Sequence, residues 1–548
     1  MKKHLGPLAV LAAGIVLGII PLATPVPKPA DAPGFSAARA REDILRVAAA
    51  PHTVWDQASL VPVRDHLRSR LAGMGLAVAT YRYPPVTDAF GHSYPLENIA
   101  AAIPGKSGRS ILLVSHYDSS PKKRAAEQEG SRGAADDGYG IATMLEIARV
   151  LAAARDTLEN GVRFLFTDAE ETGLHGAGAE MTRNLAAYAD VDLVINLEAR
   201  GVKGPAVMFE TGRNNLATLR LYRNARWPFA YSFAVDVYRN MPNGTDLTQF
   251  LRKGFAGLNF SVLDDLSYYH TPRDNPDNIS PRSLQHYGEQ VLPVVLEYSR
   301  DPRYGRPGAF AAAEDMVYFT WLPGILVSYP ATAAKIISIL TTILFVAWTA
   351  RALVRKEARI GSALLWFLAW LGMAALALGI GLGASVLLAK ATGIPWKVTY
   401  MPGVPFDRAI TWVLVLLEAL VPYLLASRRA RKGGEIGSLL AAAMALNLLM
   451  LAVFHRFLPG GSFMFALPVF AALAGSWLAT LTGRPWIAWI PAALSIGLFL
   501  PILHLVGLAL TIGALGIVTL LAFFPLTLAG PLLVLGRPAG RERPCGSG

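Results

Sequence analysis

Two histidines and several carboxylates stand where apolar runs of this chain stop. Ser110-Ile-Leu-Leu-Val-Ser115 ends in His116-Tyr117-Asp118, and Gly133-Ala-Ala135 leads into Asp136-Asp137-Gly138. Phe164-Leu-Phe-Thr-Asp-Ala169 runs into Glu170-Glu171, Val191-Asp-Leu-Val-Ile-Asn-Leu197 into Glu198, and Tyr268-Tyr269-His270-Thr-Pro-Arg-Asp274 brings a late histidine. Imidazole nitrogens and carboxylate oxygens are the donors that hold Zn²⁺. Residues i and i+2 share a strand face, so the Asp118 carboxylate can accept the second ring N–H of His116 and fix its tautomer. Neighbouring strand residues face opposite ways, so one of Glu170 and Glu171 can hold a metal while the other moves protons. Singly, these residues read as a core histidine, a helix cap, a solvated acidic turn and a surface histidine. Jointly, two histidines and three carboxylates suit a pair of zinc ions sharing one carboxylate. A further glutamate beside the activated water then completes a hydrolase.

These residues need a frame that brings strand ends together. Helices are expected at about 36–49, 58–74 and 140–154, with strands near 97–103, 111–117, 162–167 and 192–198. Strands alternating with amphipathic helices imply an α/β fold, a three-layer sandwich around a mostly parallel central sheet. In such sheets ligands bind at the carboxyl ends of the strands, where these donors lie.

The 548 residues are 53% hydrophobic, and the mean hydropathy is +0.38. The excess is concentrated beyond residue 331, which marks an all-α polytopic membrane domain in contact with the lipid bilayer. Spans are expected near 332–350, 362–386, 409–426, 437–454, 463–481, 485–504 and 509–535, besides an N-terminal run from Leu5 to Val26. That run follows Lys2 and Lys3 and lacks a clear cleavage site, so it reads as a retained anchor rather than a signal peptide. Arg351, Arg355, Lys356 and Arg359, then Arg428, Arg429, Arg431 and Lys432, then Arg537, Arg541 and Arg543, all fall on the side of Lys2 and Lys3. The positive-inside rule makes that side cytoplasmic and the α/β domain extracytoplasmic. Trp396 and Tyr400 suit the outer interface. Short loops and a single cysteine, Cys545, favour a bacterial inner membrane with a periplasmic catalytic domain. Glu418 in mid-span is expected to make an interhelical hydrogen bond, and a proton or substrate path through it is the alternative; His504 lies near a helix end. The basic excess lies mainly in loops, without a basic stripe interleaved with aromatics, so no nucleic-acid partner is expected.

The series HxD, GAxDD, EE-x-G, strand-end Glu and YYHTPxD resembles the M28 family of co-catalytic zinc aminopeptidases. It is most similar to the membrane-bound branch, the endoplasmic-reticulum and vacuolar-membrane metallopeptidases and their bacterial relatives. The resemblance covers roughly residues 35–300. It implies two Zn²⁺ ions per chain, held by His116, Asp136 as the shared ligand, Glu171, Glu198 and His270. It makes Asp118 the carboxylate that orients His116 and Glu170 the general base on a zinc-bridging water, with peptides as substrates. It also implies a cis peptide next to Asp136. The layout is then an anchor (1–30), a metallopeptidase domain (31–305), a linker (306–331), about seven membrane helices (332–536) and a cytoplasmic tail (537–548). An oxyanion donor is expected within Val237–Asn240 or Asn243–Asp246. Arg200 or Arg273 can supply the cation that carboxypeptidase specificity needs. A glutaminyl-cyclase-like enzyme, a non-catalytic scaffold and a peptidase-fed transporter are the other readings. The sequons at Asn243, Asn259 and Asn278 read as chance occurrences.

Overall fold

The computed structural model describes residues 2–122, 129–429 and 435–537; Arg431, Lys432, Arg541, Arg543 and Cys545 lie outside them. It forms two compact units, one of Leu22–Ala331 and one of Met1–Pro21 with Thr332–Gly548.

The first helix, α1 (Lys2–Ile19), belongs to the second of these, the helical unit. The α/β unit holds α2 (Ala37–Val47), α3 (Gln57–Gly73), α4 (Gly138–Ala152), α5 (His175–Arg183), α6 (Leu216–Tyr222), α7 (Ser232–Arg239), α8 (Asp246–Leu251) and α9 (Pro281–Arg300). Its strands are β1 (Val78–Thr87), β2 (Ser93–Ile103), β3 (Ser110–His116), β4 (Gly161–Thr167), β5 (Val191–Ala199), β6 (Val207–Thr211) and β7 (Ala256–Val262), followed by a hairpin of β8 (Met316–Leu322) and β9 (Ile325–Pro330). Polar side chains start the helices: Ser36 accepts from the Arg39 amide, Asp56 from Ala58 and Ser280 from Ser283. Each satisfies an amide that the first turn leaves without an intrahelical partner.

The main sheet has the order β1-β2-β4-β3-β5-β7-β6. Its central strands β4, β3, β5 and β7 run parallel, while the β1/β2, β2/β4 and β6/β7 pairs are antiparallel, so the sheet is mixed. All seven residues of β3 are buried, as both-sided coverage of a parallel strand requires. Alternate residues feed two cores. Ile111, Leu113, Phe164, Phe166, Leu193 and Ile195 pack with α2, α3, α4 and α9. Leu112, Val114, Leu165 and Val194 pack with Ala177 and Met181 of α5 and Leu247 and Phe250 of α8. These are the three layers of the sandwich. β1 was outside the expected strands because Pro84 and Pro85 interrupt its pattern. The register shifts there, between Tyr83 and Val86, on an edge strand that tolerates missing donors.

The parallel register places the chemistry. His116 stands level with Thr167 at the end of β4, and Glu198 stands level with Ser261 on β7.

The helical unit continues with α10 (Ala331–Val354), α11 (Ile360–Thr392), α12 (Asp407–Arg429), α13 (Glu435–Phe457), α14 (Phe463–Thr482), α15 (Trp489–Leu510) and α16 (Leu515–Leu535). Among the described residues, eight helices including the N-terminal one are long and apolar enough to cross a membrane. Several overrun the expected spans, because Arg351 and Lys390 extend the last turns of α10 and α11, where cations suit the helix dipole. α1 lies against α15 through glycines. A Cβ on Gly14 would meet the Ala493 carbonyl at 3.0 Å, and one on Gly497 would meet the Leu17 Cβ at 2.9 Å. Small residues of this kind let helix backbones approach closely. Glu418 lines an otherwise largely apolar cavity of about 340 Å³ with Met373, Leu414, Thr519 and Phe523. Among the described residues neither of its carboxyl oxygens has a hydrogen-bond partner, so the expected interhelical hydrogen bond is not made.

Candidate metal centre

The ends of β3 and β5 and three turns bring the donors together. His116 Nε2 lies 3.3 Å from Asp136 Oδ1 and 3.7 Å from Glu198 Oε2. His270 Nε2 lies 3.3 Å from Asp136 Oδ2 and 2.9 Å from Glu171 Oε2. Asp136 thus offers one oxygen to each of two histidine–carboxylate sets, and Glu170 belongs to neither. Two donors about 2.1 Å from a tetrahedral ion are roughly 3.4 Å apart, close to the observed separations. The donor types and spacings therefore fit a zinc ion at each set.

Backbone geometry separates the two glutamates. β4 ends at Thr167, and Ala169 turns the chain with φ +56°, so Glu170 and Glu171 diverge in a turn rather than by strand alternation. The turn closes through the Gly173 and Leu174 amides onto the Glu170 carbonyl at 3.0 and 2.9 Å. A Cβ at Gly176 would stand 2.4 Å from the Asp168 carbonyl, so only glycine fits there. The Asp136–Asp137 peptide is cis.

Asp118 does work beyond that expected of it. His116 Nδ1 is 2.9 Å from the Asp118 backbone carbonyl, the nearer acceptor, while the carboxylate is 3.5 Å away. The carboxylate also accepts the Glu170 amide at 3.0 Å and the Glu171 amide at 3.3 Å. It is tied to the backbone of the glutamate pair because that backbone turns toward β3.

Two residues with no role assigned from sequence serve similarly. Asp274 accepts the Ala135 and Asp136 amides at 2.7 and 3.2 Å, which fixes the shared ligand's backbone. Asn196 donates to Glu198 Oε1 at 3.1 Å and to Asn259 at 3.1 Å. Its position two residues before Glu198 on one strand is the signal that could have found it. Asn259 is itself buried and bonded to Glu210 and Thr245, so its sequon is closed to modification.

Charge is dense here. Burial first, then the Glu198 carboxylate, pushes Glu170 well above the ordinary range. Burial likewise raises Glu198. Asp136 falls below the usual range because His116 and His270 outweigh its burial. Buried carboxylates in this number call for cations beyond two imidazoles. In the segments expected to hold an oxyanion donor, Arg239 donates to the Gly212 carbonyl at 2.8 Å and Asn240 to the Asp236 carbonyl at 2.7 Å. Burial and then the charges of Glu210, Glu198 and Glu170 push the Tyr238 phenol up.

The sequence profile of Peptidase family M28 matches residues 98–295, a span that runs from β2 into α9 and includes all of these donors. The chain carries an M28 peptidase domain. Endoplasmic reticulum metallopeptidase 1 of Mus musculus is 28% identical over 284 residues, which cover 51% of this chain and 30% of that protein. The vacuolar membrane protease of Lodderomyces elongisporus is 32% identical over 216 residues, 39% of this chain and 21% of that one. The matched part thus spans less than a third of either relative. A zinc-dependent exopeptidase from Parabacteroides distasonis is a structural neighbour, with a TM-score of 0.40 and 21% identity over 48% of this chain and 98% of that one.

Proposed function

We propose that this chain is a membrane-anchored zinc exopeptidase, an aminopeptidase, that binds two ions at the paired donor sets and hydrolyses peptides. The observation that carries the reading is the sharing of Asp136 between the sets with Glu170 left out of both. His116, Asp136 and Glu198 would hold one ion, and Asp136, Glu171 and His270 the other. When bound, the ions acidify water and draw charge from the scissile carbonyl.

The protein's own groups do the rest. Glu170, free of the donor sets, takes the proton of the attacking water and delivers it to the departing amine. Asp118 keeps the Glu170 and Glu171 amides in register, so base and donor keep a constant offset. The Tyr238 hydroxyl is the donor we assign to the oxyanion.

In the same reading the metallopeptidase domain is 31–305, and 306–331, read from sequence as its linker, folds with the α/β unit as the β8/β9 hairpin. The basic clusters turn both termini to the cytoplasm, and the α/β unit works outside it, in a bacterium the periplasm. A scaffold would have lost ligands, whereas every expected donor stands in one of the two sets.

The test is metal content of the purified full-length protein together with hydrolysis of aminoacyl arylamides. About two zinc per chain, turnover by wild type and a loss of about 100-fold or more in Glu170→Gln support the reading. No bound metal and no turnover would remove it.

A further inference from the structure

Arg200 lies two residues beyond the donor Glu198, past the end of β5. Its guanidinium carbon sits over the Tyr269 ring, 5.4 Å from the centroid. Tyr269 in turn stacks on the donor His270, with ring centroids 3.6 Å apart and planes at 26°. Arg200 is therefore one aromatic ring away from a donor nitrogen. It is half-buried, and among the described residues its guanidinium forms no hydrogen bond or ion pair.

The second basic candidate differs. Arg273 lies over Tyr268, 4.5 Å from the centroid, and donates to the Ser267 carbonyl, so its fork is already engaged. A planar guanidinium fixed on an aromatic face presents donors in the geometry that a carboxylate accepts in two parallel bonds. Arg200 holds such a fork one ring away from His270, and among the described residues its donors have no protein acceptor.

We propose that Arg200, held on Tyr269, binds a carboxylate of the substrate and makes the enzyme selective for short anionic peptides. This rests on the metallopeptidase reading above. The carboxylate has two sources, the free C-terminus of a di- or tripeptide or an acidic side chain.

The experiment compares kcat/KM within matched pairs, using full-length zinc-loaded protein. Leu-Ala against Leu-Ala amide reads the terminal carboxylate, and glutamyl against glutaminyl p-nitroanilide reads the side chain. A charge-assisted bidentate contact corresponds to about 10- to 100-fold in the ratio for the responding pair. Arg200→Met should bring that ratio close to one, mainly through KM, and Arg200→Lys should restore part of it. Because each ratio is taken within one protein, partial misfolding of a variant cancels. Wild-type ratios near one in both pairs, or ratios unmoved by Arg200→Met, would overturn the inference while Glu170-dependent turnover leaves the peptidase reading standing. No turnover of any substrate by wild type would overturn both.

Discussion

Around Asp136 the α/β unit gathers buried carboxylates and gives their surroundings partners: Asp118 holds two amides, Asp274 two more, and Asn196 steadies Glu198. In the helical unit Glu418 reaches into a largely apolar cavity, with neither oxygen hydrogen-bonded among the described residues. Both are carboxyl groups removed from water, and their settings differ in kind. A carboxylate that grips backbone amides fixes a neighbour's position, so losing it displaces that neighbour. A carboxyl with no partner costs stability and positions nothing, so losing it should cost little.

Four experiments would break or sharpen that contrast. Glu170→Gln should lower kcat by about 10²- to 10⁴-fold while leaving bound zinc unchanged, as general-base removal implies. Loss of zinc from this variant would instead place Glu170 among the ligands. Asp118→Ala should lower turnover and zinc affinity together by about 10- to 100-fold, the scale of groups that orient ligands. Measuring both by titration against a competing chelator separates this from Glu170→Gln.

The third concerns pH. Without metal, burial pulls His270 down, but Glu171 and Asp136 outweigh it and carry it up to about 9. An unfolded histidine titrates near 6.5. The folded metal-free state therefore binds this proton more tightly. The stability it contributes is complete below about 6.5 and is lost as pH rises through about 9. Zinc needs the same nitrogen deprotonated. The rise in Tm on adding zinc should therefore grow between pH 6.5 and 9. A zinc-induced shift that shrinks over that interval would contradict the placement of His270.

The smallest effect is expected in the helical unit. Glu418→Leu should leave peptidase kcat/KM within about twofold and keep or raise Tm, because an unpartnered buried carboxyl gives way to an apolar group. A loss of turnover beyond tenfold would mean that Glu418 serves the reaction.

Much of this architecture was legible because parallel strands covered on both faces must be apolar throughout. The runs at 110–116, 161–167 and 191–199 announce themselves, and so does whatever polar residue ends them. His116, Asp136, Glu171, Glu198 and His270 could be read as a group for that reason, since their donor types carry meaning before any geometry is known. Their supports could not. Asp118 reads as a partner of His116 by spacing, yet the turn at Ala169 brings two amides within reach of its carboxylate. Asn196 looks like a polar break in an apolar run until Glu198 is seen on the same face. β1 hides behind its prolines, because edge strands need not keep the pattern that marks a central one. Hydrogen bonds to backbone amides have no sequence signature, as every residue but proline supplies that donor.

The glycine contact between α1 and α15 also sets an order of events. Gly14 and Gly497 are separated by roughly 480 residues, which at synthesis rates of about 5–20 residues per second puts some 25 to 100 s between them. The whole α/β unit is made in that interval. It can finish its sheet while the helix ahead of it still waits for the surface it will pack against. α1, made long before α15, is thus among the last elements to find its place.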